Sequence, residues 1–86
     1  MYEVIFTKKA GKFITSLQKG YKEKLKEVIV HLRENPFSYP YKKIRGEVNL
    51  YRIRLGKYRI LYELDRIERK VTILKVDERE GIYNSL

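Results

Sequence analysis

Two alternating segments joined by a glycine constrain this chain more than anything else in it. Residues 50–55 read LYRIRL and residues 58–64 read YRILYEL, with Gly56-Lys57 between them. Successive side chains along a strand point to opposite faces. Tyr51, Ile53 and Leu55 therefore share one face, and Arg52 and Arg54 share the other. A two-residue connection with glycine first suits a type II′ turn. That turn sets Leu55 opposite Tyr58 and Arg54 opposite Arg59. A chain with this hairpin must bury one face of a sheet, and it must bring two arginines together on the other.

The flanking sequence supplies the cover. Residues 2–6 read as a first strand, with Val4 and Phe6 on one side and Ile5 on the other. Thr7 is placed to cap a helix. Ala10, Phe13, Ile14 and Leu17 then recur at helical spacing, and Gly20 is expected to break that helix. Tyr21, Leu25, Val28, Ile29 and Leu32 form the apolar stripe of a second helix, with Lys22, Glu23, Lys26 and Glu27 facing out. Asn35-Pro36 ends it, because the residue before proline avoids the helical region. Residues 36–41 form a loop and residues 65–69 a polar connection. Residues 70–76 contain VTILKV, a β-branched strand. Residues 77–86 read as a tail with a short C-terminal turn. The expectation is one α+β domain over residues 1–86, β-α-α-β-β-β, with two N-terminal helices packed on an antiparallel sheet.

Composition narrows the chemistry. A chain of 86 residues buries only about 60 to 68% of its unfolded surface, so the core is modest. It has no cysteine and one histidine, which leaves no disulfide, thiolate metal site or His-rich metal site. No metal or cofactor is expected. No apolar run approaches the roughly 20 residues that span a bilayer, and the first residues do not have the form of a signal peptide. The expected location is the cytoplasm, away from membranes. Twenty Lys and Arg against eleven Asp and Glu give a net +9. That balance favours an anionic partner such as nucleic acid or an anionic membrane.

The charge is concentrated. Residues 42–59 hold seven cations (Lys42, Lys43, Arg45, Arg52, Arg54, Lys57 and Arg59) and one anion, Glu47, a surplus of six out of nine. Like charges directly opposite on a sheet are destabilising, so Arg54 against Arg59 points to an anion that sits between them in use. The alternative is that both guanidiniums splay into solvent or are balanced by nearby carboxylates. Arginine donates paired hydrogen bonds to phosphate and keeps its charge. Arg79 and Tyr83 are four residues apart and would share one side of a helical turn. Tyr83 is suited either to stacking on a base or to packing against the sheet edge. Tyr39 and Tyr41 read as structural, and His31 reads as a mid-helix residue without a catalytic role. Asp77, Glu78 and Glu80 are placed to orient arginines rather than to bind metal. No phosphate-cradling glycine loop, nucleophile elbow or EF-hand is present.

Residues 43–64, KIRGEVNLYRIRLGKYRILYEL, resemble the core of the RelE/ParE toxin superfamily. The carrying elements are Ile44-Arg45-Gly46, Arg52-Ile53-Arg54-Leu55, Tyr58-Arg59-Ile60-Leu61-Tyr62 and, in the tail, Arg79-Glu80-Gly81-Ile82-Tyr83. The run from Leu50 to Arg59 is most like archaeal RelE proteins. Against the best-known bacterial form, arginine replaces lysine at Arg52 and Arg54, and the hairpin and tail are shorter. The resemblance implies a RelE-like, microbial-ribonuclease-type fold and the toxin of a type II toxin–antitoxin system. It implies a ribosome-dependent endoribonuclease that cuts mRNA in the A site by metal-independent 2′-OH attack. Arg54, Arg59, Arg79 and Tyr83 would be catalytic, and Lys42, Lys43, Arg45, Arg52 and Lys57 would hold mRNA and ribosomal RNA. It also implies an acidic RelB-like antitoxin, in a heterodimer or heterotetramer. Two other readings stand beside it: a non-enzymatic ParE-like inhibitor of DNA gyrase, and a basic nucleic-acid-binding module without catalysis.

Overall fold

The computed structural model describes residues 1–78. The C-terminal turn expected from the sequence, with Arg79 and Tyr83, lies outside the described residues. The elements are β1 (Glu3–Phe6), α1 (Lys8–Thr15), α2 (Lys19–Glu34), β2 (Lys42–Lys43), β3 (Leu50–Leu55), β4 (Tyr58–Asp65) and β5 (Lys70–Glu78). They form a five-stranded sheet in the order β1-β5-β4-β3-β2. The strands from β2 to β5 are antiparallel, and β1 joins β5 in parallel, so the sheet is mixed. No helix among the described residues is long and apolar enough to cross a membrane.

Helix α1 begins and ends where side chains satisfy the backbone, whereas α2 starts at Gln18 without a side-chain cap. Thr7 is the N-cap of α1, and its hydroxyl accepts from the Ala10 N–H at 3.2 Å. At the other end the hydroxyls of Thr15 and Ser16 donate to the carbonyls of Lys12 and Phe13, at 2.7 and 2.6 Å. These bonds occupy carbonyls that a continuing helix would have used. The break therefore comes before Gly20, which lies in the first turn of α2 rather than between the helices. This corrects the expectation that Gly20 ends the first helix. Asn35 does end α2, in extended backbone, and its side-chain oxygen accepts from the Phe37 N–H at 3.0 Å.

Both helices cover one face of the sheet. Ala10, Leu17, Leu25, Val28 and Leu32 pack on Tyr51, Ile53, Leu55, Tyr58, Ile60, Tyr62, Leu64, Val71, Ile73 and Val76. At the β3 end, Tyr51 stacks on Tyr62 with ring centroids 5.7 Å apart, and Phe37 and Tyr41 close the layer edge-on. Loop tyrosines are thus structural, as read from the sequence.

The hairpin has the register that its turn dictates. Arg54 pairs with Arg59 and Leu55 with Tyr58. Gly56 has φ +61°, while Lys57 does not enter the left-handed region. That combination fits type II′ and excludes type I′, which needs positive φ at both positions. Gly56 also lies under the Tyr21 ring, where an added Cβ would come within 2.9 Å of Cε1.

One irregularity decides what faces outward on β5. Leu61 pairs with Lys75, but Tyr62 pairs with Ile73, so Leu74 is an extra residue. Such a bulge shifts the alternation by one. Val71 and Ile73 point into the core before it, and Val76 does so after it. Without Leu74 as a spacer, Lys75 and Asp77 would turn toward the core. The strand also runs on to Glu78, two residues past the end expected from the sequence.

Candidate nucleic-acid interface

The face turned away from the helices carries the arginines. Two rows cross it. Lys42 on β2, Arg52 on β3, Leu61 on β4 and Lys75 on β5 are successive cross-strand partners. Next to them run Arg54, Arg59 and Asp77. Arg54 is exposed and Arg52 half-buried. Arg59 is only 4% exposed and is the one charged residue buried among the described residues. A buried cation is costly unless it is compensated. Its position between Arg54 and Asp77 gives it a like charge on one side and a carboxylate on the other.

Asp77 is tied down. Its Oδ1 accepts from the Glu78 N–H at 2.8 Å, and its Oδ2 lies 3.4 Å from Lys75 Nζ. Within the hairpin, Glu63 is on this face but stands opposite Leu50, four residues from Arg59, so the hairpin brings no acid to the Arg54–Arg59 pair itself, as the sequence suggested. The third strand does, through the bulge. Lys75 and Asp77 are the members of the face that alternation alone would have misplaced.

Not every expected RNA-binding residue joins these rows. Lys43 pairs with Tyr51, which puts it on the helix side. Arg45 lies in the β2–β3 loop, beside an open groove of about 560 Å³ lined by residues 43–48. Lys57 sits at the hairpin tip, 3.8 Å from Glu78 and over the Tyr58 ring. His31 is on α2, across the sheet from the arginines; its Nδ1 is 3.1 Å from Ser38 Oγ, and its ring meets Tyr39 edge-on.

The chain and its two-layer fold have counterparts among known proteins. Residues 4–83 match the family model described as the ParE toxin of type II toxin–antitoxin systems, parDE. The chain belongs to this toxin family. It is 31% identical to the RelE1 protein of Methanocaldococcus jannaschii, over 98% of this chain and 97% of that one. Its fold is similar to RelE in the archaeal RelE–RelB complex of Pyrococcus horikoshii, with TM-score 0.78 and 29% identity over 91% of this chain and 94% of that one. The RelB–RelE complex of Methanococcus jannaschii gives 0.80 and 27%, covering 95% and 98%. The isolated RelE toxin of E. coli gives 0.80 and 25% over the whole of both chains. The chain is thus a RelE-like toxin with two helices packed on a sheet, as its motifs implied; the short strand β2 and the parallel seat of β1 make that sheet five-stranded and mixed, where four antiparallel strands were expected.

Proposed function

We propose that this toxin is a ribosome-dependent endoribonuclease that cuts mRNA in the A site without a metal. The observation that carries the reading is the Arg54–Arg59 pair on the open face. In the reaction the ribose 2′-oxygen attacks the adjacent phosphorus and loses its proton. The bond to the 5′-oxygen breaks, and that oxygen leaves with a proton. The products are a 2′,3′-cyclic phosphate and a 5′-hydroxyl. The enzyme must hold the in-line geometry and stabilise the added negative charge. Arg59, fixed by burial, and Arg54, free to close from solvent, are suited to that charge. Arg79 is proposed to join them from the tail, and Tyr83 to stack on a base or carry a proton. Arg52, Lys42, Lys43, Arg45 and Lys57 would hold neighbouring RNA.

None of the arginines is a ready base at neutral pH. Positioning therefore has to supply most of the rate, and an oriented reaction can gain about 7 to 11 kcal/mol that way. The ribosome is the proposed source of that positioning. The toxin would act in the cytoplasm, and a RelB-like acidic antitoxin would neutralise it, as the RelE–RelB complexes suggest by likeness.

The test maps mRNA 5′ ends on programmed ribosomes with and without the full-length protein. Cuts within the A-site codon, with naked mRNA nearly untouched, are expected. Arg54→Ala should lower the cleavage rate by about 100- to 1,000-fold, the usual cost of one transition-state donor, and should lower ribosome affinity far less. Equal cleavage of free and ribosome-bound mRNA would sink the ribosome-dependent mechanism. Intact mRNA with trapped gyrase–DNA complexes would move the assignment to gyrase inhibition, the reading that the parDE description of the family favours.

A further inference from the structure

The sheet is incomplete along one margin. β1 pairs with β5 only from Lys70 to Ile73. Beyond that point β5 runs on to Glu78, with no strand on that side among the described residues. Helix α1 lies alongside instead. Between them is a groove of about 270 Å³, lined by Lys9, Lys12 and Phe13 from the helix and by Lys75, Val76 and Asp77 from the strand. Its apolar part is the buried Val76 and the half-buried Phe13, whose ring meets Tyr58 edge-on at 5.9 Å.

The charges in the groove are unequal. Asp77 is engaged by Lys75 at 3.4 Å. Lys9 and Lys12 are exposed, and neither forms an ion pair among the described residues. Two ammonium groups, one helical turn apart, thus face a strand whose acid is already matched. The groove is also continuous with the arginine row, because Asp77 is the cross-strand partner of Arg59.

We propose that this groove is a second binding site for RNA, in which Lys9 and Lys12 each take a phosphate of the strand that continues past Arg54 and Arg59. The proposal rests on the reading of the arginine face as an RNA site. Phe13 offers a ring edge on which a base can rest between the two phosphates. A phosphodiester chain needs no register with the strand margin. The occupant is the message, the same strand that the arginine pair would hold.

Lys9→Gln/Lys12→Gln tests this in the full chain. Glutamine keeps much of the stem and suits a helix, and a thermal melt checks that the fold is intact. Binding is measured from about 50 to 200 mM salt, first to a 2′-O-methyl oligouridine, which cannot be cut, and then to vacant ribosomes. Each phosphate contact on a single strand contributes about 0.7 to the logarithmic salt slope, so the double variant should lose about 1.4. A loss on the oligonucleotide supports the message as occupant, and a loss on vacant ribosomes alone overturns it in favour of ribosomal RNA. An unchanged slope on both, with Arg54→Ala still lowering it, overturns the groove and leaves the arginine site standing. Weakening confined to the antitoxin would also overturn it and give the groove to an acidic peptide. If Arg54→Ala is silent as well and the wild-type protein cuts nothing, the failure belongs to the arginine site instead.

Discussion

The Thr7 hydroxyl donates to the carbonyl oxygen of Leu74 at 2.9 Å, while its own oxygen, Thr7 Oγ1, caps α1 by accepting from the Ala10 N–H. One side chain thus fixes the start of a helix and the bulged residue of a strand 67 positions away. The neighbouring Thr7 N–H bonds to the Ile73 carbonyl at 3.0 Å, so both carbonyls at the bulge are held by the same residue.

Thr7→Val should destabilise the fold by about 2 kcal/mol, the sum of a lost cap near 1 and a lost hydrogen bond near 1. For a domain of this size that is a fall of roughly 8 to 16 °C in melting temperature. Thr7→Ser should recover most of it. A Val variant that melts with the wild type would show that the bulge is held elsewhere.

Arg59→Met separates chemistry from folding. Methionine fills a similar buried volume without a charge facing Arg54, and the Asp77 carboxylate that it leaves behind keeps its ion pair with Lys75 at 3.4 Å. Thermal stability should be equal or higher, while ribosome-programmed cleavage should fall by about 100-fold or more. A destabilised Met variant would mean that Arg59 holds the sheet together.

Gly56→Ala should cost more than the turn alone explains. A positive φ is unfavourable for an L side chain by about 1 to 2 kcal/mol, and the new Cβ would also meet Tyr21. In a Tyr21→Leu background only the backbone part should remain. The difference between the two costs, read from denaturant unfolding, measures the clash; equal costs would exclude it.

Alkaline stability should report on Tyr62. Burial pushes its phenol well above the ordinary value, and the nearby Tyr41 and Tyr51 add to the rise. The folded chain then keeps a proton that the unfolded chain releases near pH 10. Stability from this group is full below that pH and falls as pH rises beyond it, by up to about 1.4 kcal/mol per pH unit. Tyr62→Phe should flatten that fall. Its loss of the bond to the Pro36 carbonyl is minor, because that contact is long at 3.5 Å. An unchanged alkaline limb would assign the slope to another group.

The hairpin was legible because a two-residue turn and strict alternation leave a single register, and the Arg54–Arg59 pair followed from it. The α1 cap at Thr7 and the α2 stop at Asn35 were legible from local chemistry. Gly20 misled because its helix penalty is real, but the hydroxyls of Thr15 and Ser16 had already ended α1. Position 74 was not legible. VTILKV looks like an uninterrupted strand, and nothing local says that one residue will be skipped in pairing. That skip hid Lys75 and Asp77 from a reading by alternation. The parallel seat of β1 was hidden for a related reason, since strand order depends on contacts across the whole chain.

That seat has a consequence for how the toxin comes into being. β5 lies in the sheet between β1 and β4, although it is the last described strand in the sequence. The first strand made must therefore wait for a neighbour that begins 67 residues after it, a delay of about 3 to 13 s at ordinary synthesis rates. Until then β1 and the hairpin are separate pieces of sheet, and Asp77 has no place beside Arg59. The hairpin can set Arg54 against Arg59 as soon as it closes, so the carboxylate that balances the pair arrives last, with the strand that also seats β1.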